Sequence, residues 1–88
     1  MVELIPIEKL AEIERRCEQA TPGPWRSFLE AREKMSGSDF IQTKGEDIYL
    51  TGATAEDQDF IAHARQDVPL LLAEIKTLRS RLGIENCP

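Results

Sequence analysis

Two prolines on either side of a glycine interrupt the chain at Thr21-Pro22-Gly23-Pro24, and no regular helix can pass through them. Each proline fixes its own φ angle and disfavours helical geometry in the residue before it. The glycine allows a sharp reversal that has little conformational entropy left to lose. The sequence therefore predicts a stiff turn over residues 21–24, which ends one element and aims Trp25 and Arg26 away from it.

The segment before this turn has the periodicity of an amphipathic helix. Apolar side chains recur every three or four residues and form one stripe, at Leu10, Ile13, Cys17 and Ala20. Acidic residues lie near the positive end of the expected helix dipole, and arginines lie near its negative end. We therefore predict a helix over residues 6–20.

Short runs rich in β-branched and aromatic residues follow the turn. We interpret WRSFLE, residues 25–30, as a strand whose alternate side chains face opposite sides. After a polar loop, the runs DFIQTK and DIYLT predict a hairpin around Gly45, which can supply a positive φ angle. The sequence thus predicts a small three-stranded antiparallel sheet within residues 25–51.

The sequence determines the positions of these elements better than it determines which of their side chains point inward. In the hairpin, Phe40 and Ile48 form one alternating set, and Ile41 and Tyr49 form the competing set. We expect the first set to point inward. In the helix that follows, the expected apolar face consists of Phe60, Ile61 and Ala64.

Helical periodicity returns after the hairpin. Thr54 followed by Asp57 matches an N-cap residue with an acid three positions later, which is close to a capping box. A first helix is therefore predicted over residues 54–65. The sequence QDVP then interrupts the pattern, because Pro69 lacks an N–H and Asp67 can cap a new helix.

A second, longer helix is predicted over residues 67–82. Gly83 is a natural C-cap, and residues 83–88 are expected to form a frayed tail. Leu70 points away from the apolar face of this helix and is a candidate for a contact between subunits. The whole prediction is one α+β domain, residues 1–88, with an N-terminal helix, a three-stranded antiparallel sheet and two C-terminal helices, short then long.

Composition restricts the functional classes. The net charge is −5, and scattered basic residues argue against binding extended nucleic acid or an anionic membrane. No apolar run approaches the roughly 20 residues that span a bilayer, and the start lacks signal-peptide features, so we expect a cytoplasmic protein. Cys17 and Cys87 have neither a paired spacing nor a metal-binding motif. We expect reduced thiols and no cofactor.

The candidate binding residues each have a structural alternative. Trp25 either covers the junction between sheet and helix, or stacks on a base while Arg26 binds phosphate. Arg65 either pairs with Asp67 or Asp59 and caps carbonyl groups, or presents a rigid planar donor to phosphate. The residues alone leave both choices open.

Enzymatic and metal chemistry have less support. Asp59, His63 and Asp67 are spaced by four residues, which would suit a metal on a continuous helix, but the predicted break before Asp67 separates them. His63 lacks an identifiable nucleophile or partner for acid–base catalysis. We therefore expect neither a metal site nor an enzyme, and a hydrolase that uses His63 is the remaining enzymatic alternative.

Two blocks of the sequence resemble a family of small phage and mobile-element proteins. They are ATPGPW at residues 20–25 and DQDFIAHARQDVPLLLAEI at residues 57–75, with GEDIYLTGAT between them. The pattern also resembles phage "sponge" proteins, which defeat the Thoeris and cyclic-oligonucleotide defences by sequestering nucleotide signals without cleaving them. This resemblance implies an oligomer with binding sites between subunits. The site residues that it implies are Trp25, Arg26, Arg65 and Asp67.

The expected function follows from this resemblance. The protein would be a non-enzymatic anti-defence protein that sequesters a nucleotide-derived immune signal at subunit interfaces in the host cytoplasm. The signal would be a cyclic ADP-ribose isomer or a cyclic oligonucleotide, and Asp67 would support Arg65 in binding it. The alternative is a phage-derived inhibitor or adaptor that acts on a host protein through its acidic surface and apolar patches such as Leu70.

Overall fold

The structure is a computed structural model, and it describes residues 4–33 and 38–83. Its elements follow in the order α1 (Ile7–Gln19), β1 (Arg26–Phe28), α2 (Glu30–Glu33), β2 (Phe40–Gln42) and α3 (Ala55–Arg81). The predicted α+β class and the N-terminal helix are confirmed. Across the described ranges, no helix is both long and apolar enough to cross a bilayer. Cys87 and the predicted tail after Gly83 lie outside the described residues.

Contacts group the chain into two units. The first, called the helical unit below, combines Met1–Ala20 with Val68–Pro88. The second, called the sheet unit, is Thr21–Asp67. The N-terminal part of α3 therefore belongs to the sheet unit, and its C-terminal part belongs to the helical unit.

In the helical unit, one side of α3 carries the contacts to the N-terminal segment. The buried apolar side chains are Leu10 and Leu72. Lys76 Nζ donates to Glu14 Oε2 at 2.7 Å, and Arg79 Nη2 donates to the Ile5 carbonyl at 2.8 Å. The Arg79 side chain is almost completely buried, so this side of α3 packs against the N-terminal segment.

In the sheet unit, β1 and β2 form an antiparallel pair. Ser27 lies opposite Ile41, and Phe28 lies opposite Phe40. Ile41 is 0% exposed and is the centre of this unit. Because Ile41 rather than Phe40 is buried, the expectation that Phe40 points inward is wrong. The alternating side chains of a strand face opposite sides, so burying Ser27 and Ile41 turns both phenylalanines to the other face.

The predicted third strand is reduced to one residue. Ile48 makes an isolated bridge to Ile41, with the two backbone hydrogen bonds at 2.8 and 2.9 Å. The sheet therefore has two strands, and the three-stranded prediction is wrong. Beyond Ile48 the chain bends at Thr51 and Gly52, where the φ angle of the glycine is +84°, and the ladder does not continue.

The strand predicted through Glu30 ends at Phe28. Glu30 instead begins α2, and its backbone N–H donates to Asp39 Oδ1 at 2.8 Å. This bond satisfies one of the free donors at the start of the helix. This short helix carries Arg32.

One continuous helix replaces the two that were predicted at the C-terminus. α3 runs from Ala55 to Arg81 with Pro69 inside it. Pro69 removes only the hydrogen bond to the carbonyl of Arg65, four residues earlier. The segment after the proline, LLLAEIK, consists of residues with high helix propensity, which offset that loss. Asp67 is consequently a mid-helix residue and does not cap a new helix.

Both predicted ends of the C-terminal helical region are confirmed. Thr54 Oγ1 accepts a hydrogen bond from the Asp57 N–H at 3.0 Å, and Asp57 Oδ2 accepts one from the Thr54 N–H at 3.1 Å. This reciprocal pair is a capping box. At the other end Gly83 has a φ angle of +76°, which glycine adopts without steric cost.

Candidate ligand-binding site

The turn at residues 21–24 is held against α3 by side chains of the ARQD segment. The Gln66 amide accepts a hydrogen bond from the Trp25 N–H at 2.6 Å and donates to the Trp25 carbonyl at 3.3 Å. It also donates to the Ala62 carbonyl at 3.1 Å, which fixes the rotamer of the amide. Gln66 therefore satisfies the backbone of Trp25 much as a neighbouring strand would.

The Thr21 carbonyl is a second anchor of the turn. It accepts hydrogen bonds from Trp25 Nε1 at 3.0 Å and from Arg65 Nε at 3.0 Å. One carbonyl oxygen has two lone pairs, so both donors can be satisfied together. The indole and the Arg65 guanidinium are thus oriented by the same backbone atom.

Gly23 lets the turn approach α3 this closely. A Cβ atom at this position would lie 3.3 Å from Gln66 Oε1 and 3.5 Å from the Arg65 side chain. The following peptide bond, Gly23–Pro24, is cis. The glycine therefore serves the packing of the turn on the helix.

A cavity of about 250 Å³ opens beside the anchored tryptophan. Its lining comes from three elements: β1 and the residue before it, α2, and α3. The lining residues are Trp25, Arg26, Ser27, Arg32, His63 and Gln66. Two arginines, a histidine and a tryptophan therefore line one space, and their side chains are of the kinds that bind phosphate and stack on bases.

Asp59 is the acidic neighbour of this cavity. Arg32 donates to its two carboxylate oxygens at 2.8 and 3.5 Å. The Arg32 hydrogen bond, followed by that of the Ser27 hydroxyl, lowers the pKa of Asp59 below its ordinary value of 3.8, and the charges of Arg32 and His63 act in the same direction. The ionised carboxylate fixes Arg32 in place and also competes for its charge with any bound anion.

A buried glutamine completes the support behind Ser27. Gln58 is 3% exposed, and the two hydrogens of its Nε2 are shared among three acceptors, Ser27 Oγ at 2.9 Å and the carbonyls of Phe28 and Phe40 at 3.1 Å each. Since Phe28 and Phe40 are opposite residues of the two strands, one amide nitrogen bridges the sheet. The Ser27 hydroxyl in turn donates a hydrogen bond to the Asp59 carboxylate.

The hydrogen-bond partner of His63 determines which of its ring nitrogens carries the hydrogen. His63 Nδ1 lies 2.8 Å from the Asp59 carbonyl oxygen. A carbonyl oxygen only accepts, so Nδ1 carries the hydrogen, and Nε2 of the neutral ring is the acceptor. Such a ring can bind a hydroxyl or a protonated phosphate oxygen, and after protonation it donates from both nitrogens.

Arg26 is held over an aromatic layer on the outer face of the sheet. Its guanidinium carbon lies 4.0 Å from the centroid of the Phe28 ring, within the range of a cation–π contact. Phe28 in turn stacks on Phe40, with centroids 5.1 Å apart and 6° between the planes. Arg26 therefore lines the cavity while its guanidinium rests on the aromatic face of the sheet.

The four predicted site residues separate into two groups. Trp25 and Arg26 line the cavity, whereas Arg65 and Asp67 are not among its lining residues. Arg65 donates to the Thr21 carbonyl, which matches only the carbonyl-capping part of its structural alternative and not the pairing with Asp67 or Asp59. The second cavity arginine is Arg32.

Sequence reasoning missed Arg32, and it assigned no role to Gln58 or Gln66. Arg32 lies in a polar segment whose sequence predicts a loop, and its partner Asp59 is 27 residues away, so no local pattern indicates it. A signal did exist for the glutamines. Both lie on the same side of the helix as Ala62, at spacings of four, and Ala62 is 1% exposed.

The three residues considered as a metal set do not form one. Asp59 binds Arg32, and His63 Nδ1 binds a carbonyl. Within residues 4–33 and 38–83, no group of three or more His, Cys, Asp or Glu side chains is placed to hold a metal ion. The continuous helix does put Asp67 two turns after Asp59, so the separation expected from a helix break is wrong.

An apolar cavity lies on another part of the sheet unit. Its volume is about 420 Å³, and its lining includes Tyr49, Phe60 and Ile61. Phe60 is 75% exposed. The predicted apolar face of Phe60, Ile61 and Ala64 is therefore not the buried face of this helix, because Gln58 and Ala62 occupy that role instead.

Comparison of the chain with models of protein families, with curated proteins and with solved structures found no match.

Proposed function

We propose that the protein is a non-enzymatic binding protein that sequesters a phosphate-bearing, nucleotide-derived signal in the cavity beside Trp25. The observation that carries the proposal is the convergence of Trp25, Arg26, Arg32 and His63 on one space. The guanidinium groups would bind phosphate oxygens, and the indole would contact the base or ribose. The sequence resemblance to phage anti-defence proteins supports a cyclic ADP-ribose isomer or a cyclic oligonucleotide as the signal.

The size of the cavity supports a site completed by a second copy of the chain. About 250 Å³ is less than the roughly 300–1,000 Å³ of most sites for drug-sized ligands. The cavity of one copy would then hold only part of such a nucleotide-derived ligand. A homo-oligomer in which neighbouring copies enclose the ligand would supply the remaining surface.

The arrangement favours binding over turnover. Asp59 is ionised and paired with Arg32, so it is a poor proton donor at neutral pH. The hydroxyl of Ser27 is buried between Gln58 and Asp59 and is an unsuitable nucleophile. The protein would therefore bind and release the ligand without altering it chemically.

The direct test uses Trp25, the only tryptophan of the chain, as the reporter. Fluorescence titrations and thermal melts are run with cyclic ADP-ribose, ADP-ribose, a cyclic dinucleotide and inorganic phosphate. A ligand at a hundredfold excess over its dissociation constant stabilises the fold by about 2.7 kcal/mol. Intact ligand recovered after heat denaturation of the complex would establish sequestration.

Matched variants locate the site. Arg26→Met and Arg32→Met should each weaken binding by tenfold or more, in line with the roughly 1.5–3 kcal/mol of a charged hydrogen bond. Arg16→Met is the control, since Arg16 is exposed on α1 and does not line the cavity. If no phosphate-bearing probe shifts the melting temperature or the fluorescence, the proposal fails.

The exposed apolar cavity favours a second candidate function, inhibition of a host protein. Tyr49 and Phe60 are both more than half exposed, and such residues are frequent at the centre of protein interfaces. This function predicts a stoichiometric protein complex that Phe60→Asp disrupts and that Arg26→Met leaves intact. The opposite pattern would assign function to the cavity beside Trp25.

A further inference from the structure

The C-terminal part of α3, together with Leu82 just after its end, carries an apolar stripe with the spacing of a two-helix seam. Leu71, Ile75, Leu78 and Leu82 follow one another at intervals of four, three and four residues. This is the d–a–d–a pattern of a heptad repeat, which keeps one stripe facing a partner helix. The three leucines are 60%, 48% and 73% exposed, in the same order along the chain.

The contacts within the helical unit leave the three leucines of this stripe exposed and cover Ile75 only in part. They use the neighbouring side of α3, where Leu72 and Arg79 are buried and Lys76 binds Glu14. Leu72 and Arg79 are seven residues apart and occupy successive e positions of the same heptad register. The leucines of the seam therefore remain exposed next to the side of α3 that packs within the helical unit.

Charges beside the stripe select the orientation of a partner. Glu74 and Arg81 are exposed, are seven residues apart and occupy successive g positions. In an antiparallel pair of identical helices, Leu71 of one copy faces Leu82 of the other, and Ile75 faces Leu78. The same register places Glu74 of each copy opposite Arg81 of the other, so both flanking pairs are attractive.

A parallel pair lacks this match. Parallel helices pair a g residue with the e residue five positions later in the partner, which would join Glu74 to Arg79. Arg79 is 8% exposed and donates to the Ile5 carbonyl, so its guanidinium does not reach a partner helix. The charge pattern thus favours the antiparallel arrangement.

We propose that the protein forms a homodimer through antiparallel pairing of the C-terminal part of α3, with Leu71, Ile75, Leu78 and Leu82 in the seam and two Glu74–Arg81 ion pairs between the copies. The inference does not depend on the ligand of the sheet unit. Residues 71–82 extend about 17 Å along a helix axis. A contact this short should bury less than the standard interface of roughly 1,600 Å², so the dimer should be reversible.

The test is a charge exchange, measured on the full chain by sedimentation equilibrium with a reductant present. The wild-type protein should associate to a dimer. Glu74→Arg and Arg81→Glu each create two like-charge pairs in the dimer and should weaken it by about tenfold or more. An equimolar mixture of the two variants should recover the dimer, because both flanking arginines of the first variant then face glutamates of the second.

Each result decides the proposal. Far-UV circular dichroism verifies that the variants keep their helix content, and the double variant E74R/R81E should dimerise alone because its pairs are attractive again. A wild-type chain that stays monomeric at several hundred micromolar overturns the dimer. Single variants that dimerise normally, or a mixture that stays dissociated, overturn the antiparallel register.

Discussion

Gln66 binds both backbone polar groups of Trp25 through its side-chain amide, at 2.6 Å to the N–H and 3.3 Å to the carbonyl. The two residues are 41 positions apart in the chain. The contact brings the ATPGPW and ARQD segments together and gives both a structural role. Because β1 begins at the next residue, the cavity beside Trp25 depends on this anchor.

Gln66→Ala should lower the free energy of unfolding by about 1–3 kcal/mol. The substitution leaves the half-buried N–H and carbonyl of Trp25 without partners. Gln66→Glu should also destabilise the fold, since a carboxylate cannot donate to the two carbonyls that the amide now binds. Urea denaturation followed by Trp25 fluorescence measures both effects. Gln19→Ala, at the exposed end of α1, is the control and should change stability by less than about 0.5 kcal/mol.

Pro69→Ala should raise the free energy of unfolding by about 1–3 kcal/mol. Alanine restores an N–H donor to the carbonyl of Arg65 and removes the steric conflict of the ring with that carbonyl. Thermal and urea denaturation give the change. A neutral or destabilising result would support a helix boundary at this position instead of a continuous α3.

Methionine variants of Arg65 and Arg26 should differ in their effects, since one should change stability and the other should change binding. Arg65→Met removes a donor to the Thr21 carbonyl, so stability should fall by about 0.5–1.5 kcal/mol while binding of phosphate-bearing probes stays unchanged. Arg26→Met should show the reverse, weaker binding with little loss of stability. Denaturation curves and probe titrations on the same protein samples make the comparison. If Arg65→Met lost binding without losing stability, Arg65 would be a ligand-binding residue after all.

Acid should abolish the stabilisation that Asp59 provides. The pKa of Asp59 is lower in the folded protein than its ordinary value of 3.8, so its contribution is complete above that value and disappears as the pH falls through the folded-state pKa. Asp59→Asn should therefore be less stable than the wild type at pH 7, and the difference should shrink below about pH 4. Urea midpoints of both proteins across this pH range test the sign, and a constant difference would contradict it.

Residues close together in the sequence were sufficient to predict those elements of the fold that depend only on near neighbours. The stripe of α1, the Thr54–Asp57 capping box and the C-cap at Gly83 each follow from residues a few positions apart, and each is confirmed. The Ile41–Ile48 bridge retains the predicted hairpin in its smallest form. These elements needed no information from the rest of the chain.

The remaining features depend on contacts distant in sequence. Pro69 marks a helix end in isolation, but it lies within a helix here because the segments on both sides favour that state. Gln58 and Gln66 are polar and would be assigned to the surface, yet backbone groups of the sheet and turn require them inside. Arg32 reaches the cavity only because α2 replaces a predicted loop, and this also changed the identity of the second cavity arginine.

The amide of Gln58, which touches both strands through a single nitrogen, has a consequence for the durability of the molecule. Deamidation would replace that nitrogen by oxygen and set a negative charge against the peptide oxygens of Phe28 and Phe40. The pairing of the two strands would then be opposed by the very side chain that now secures it. Deamidation at this one position would therefore weaken the pairing of β1 and β2 without any change in the encoded sequence.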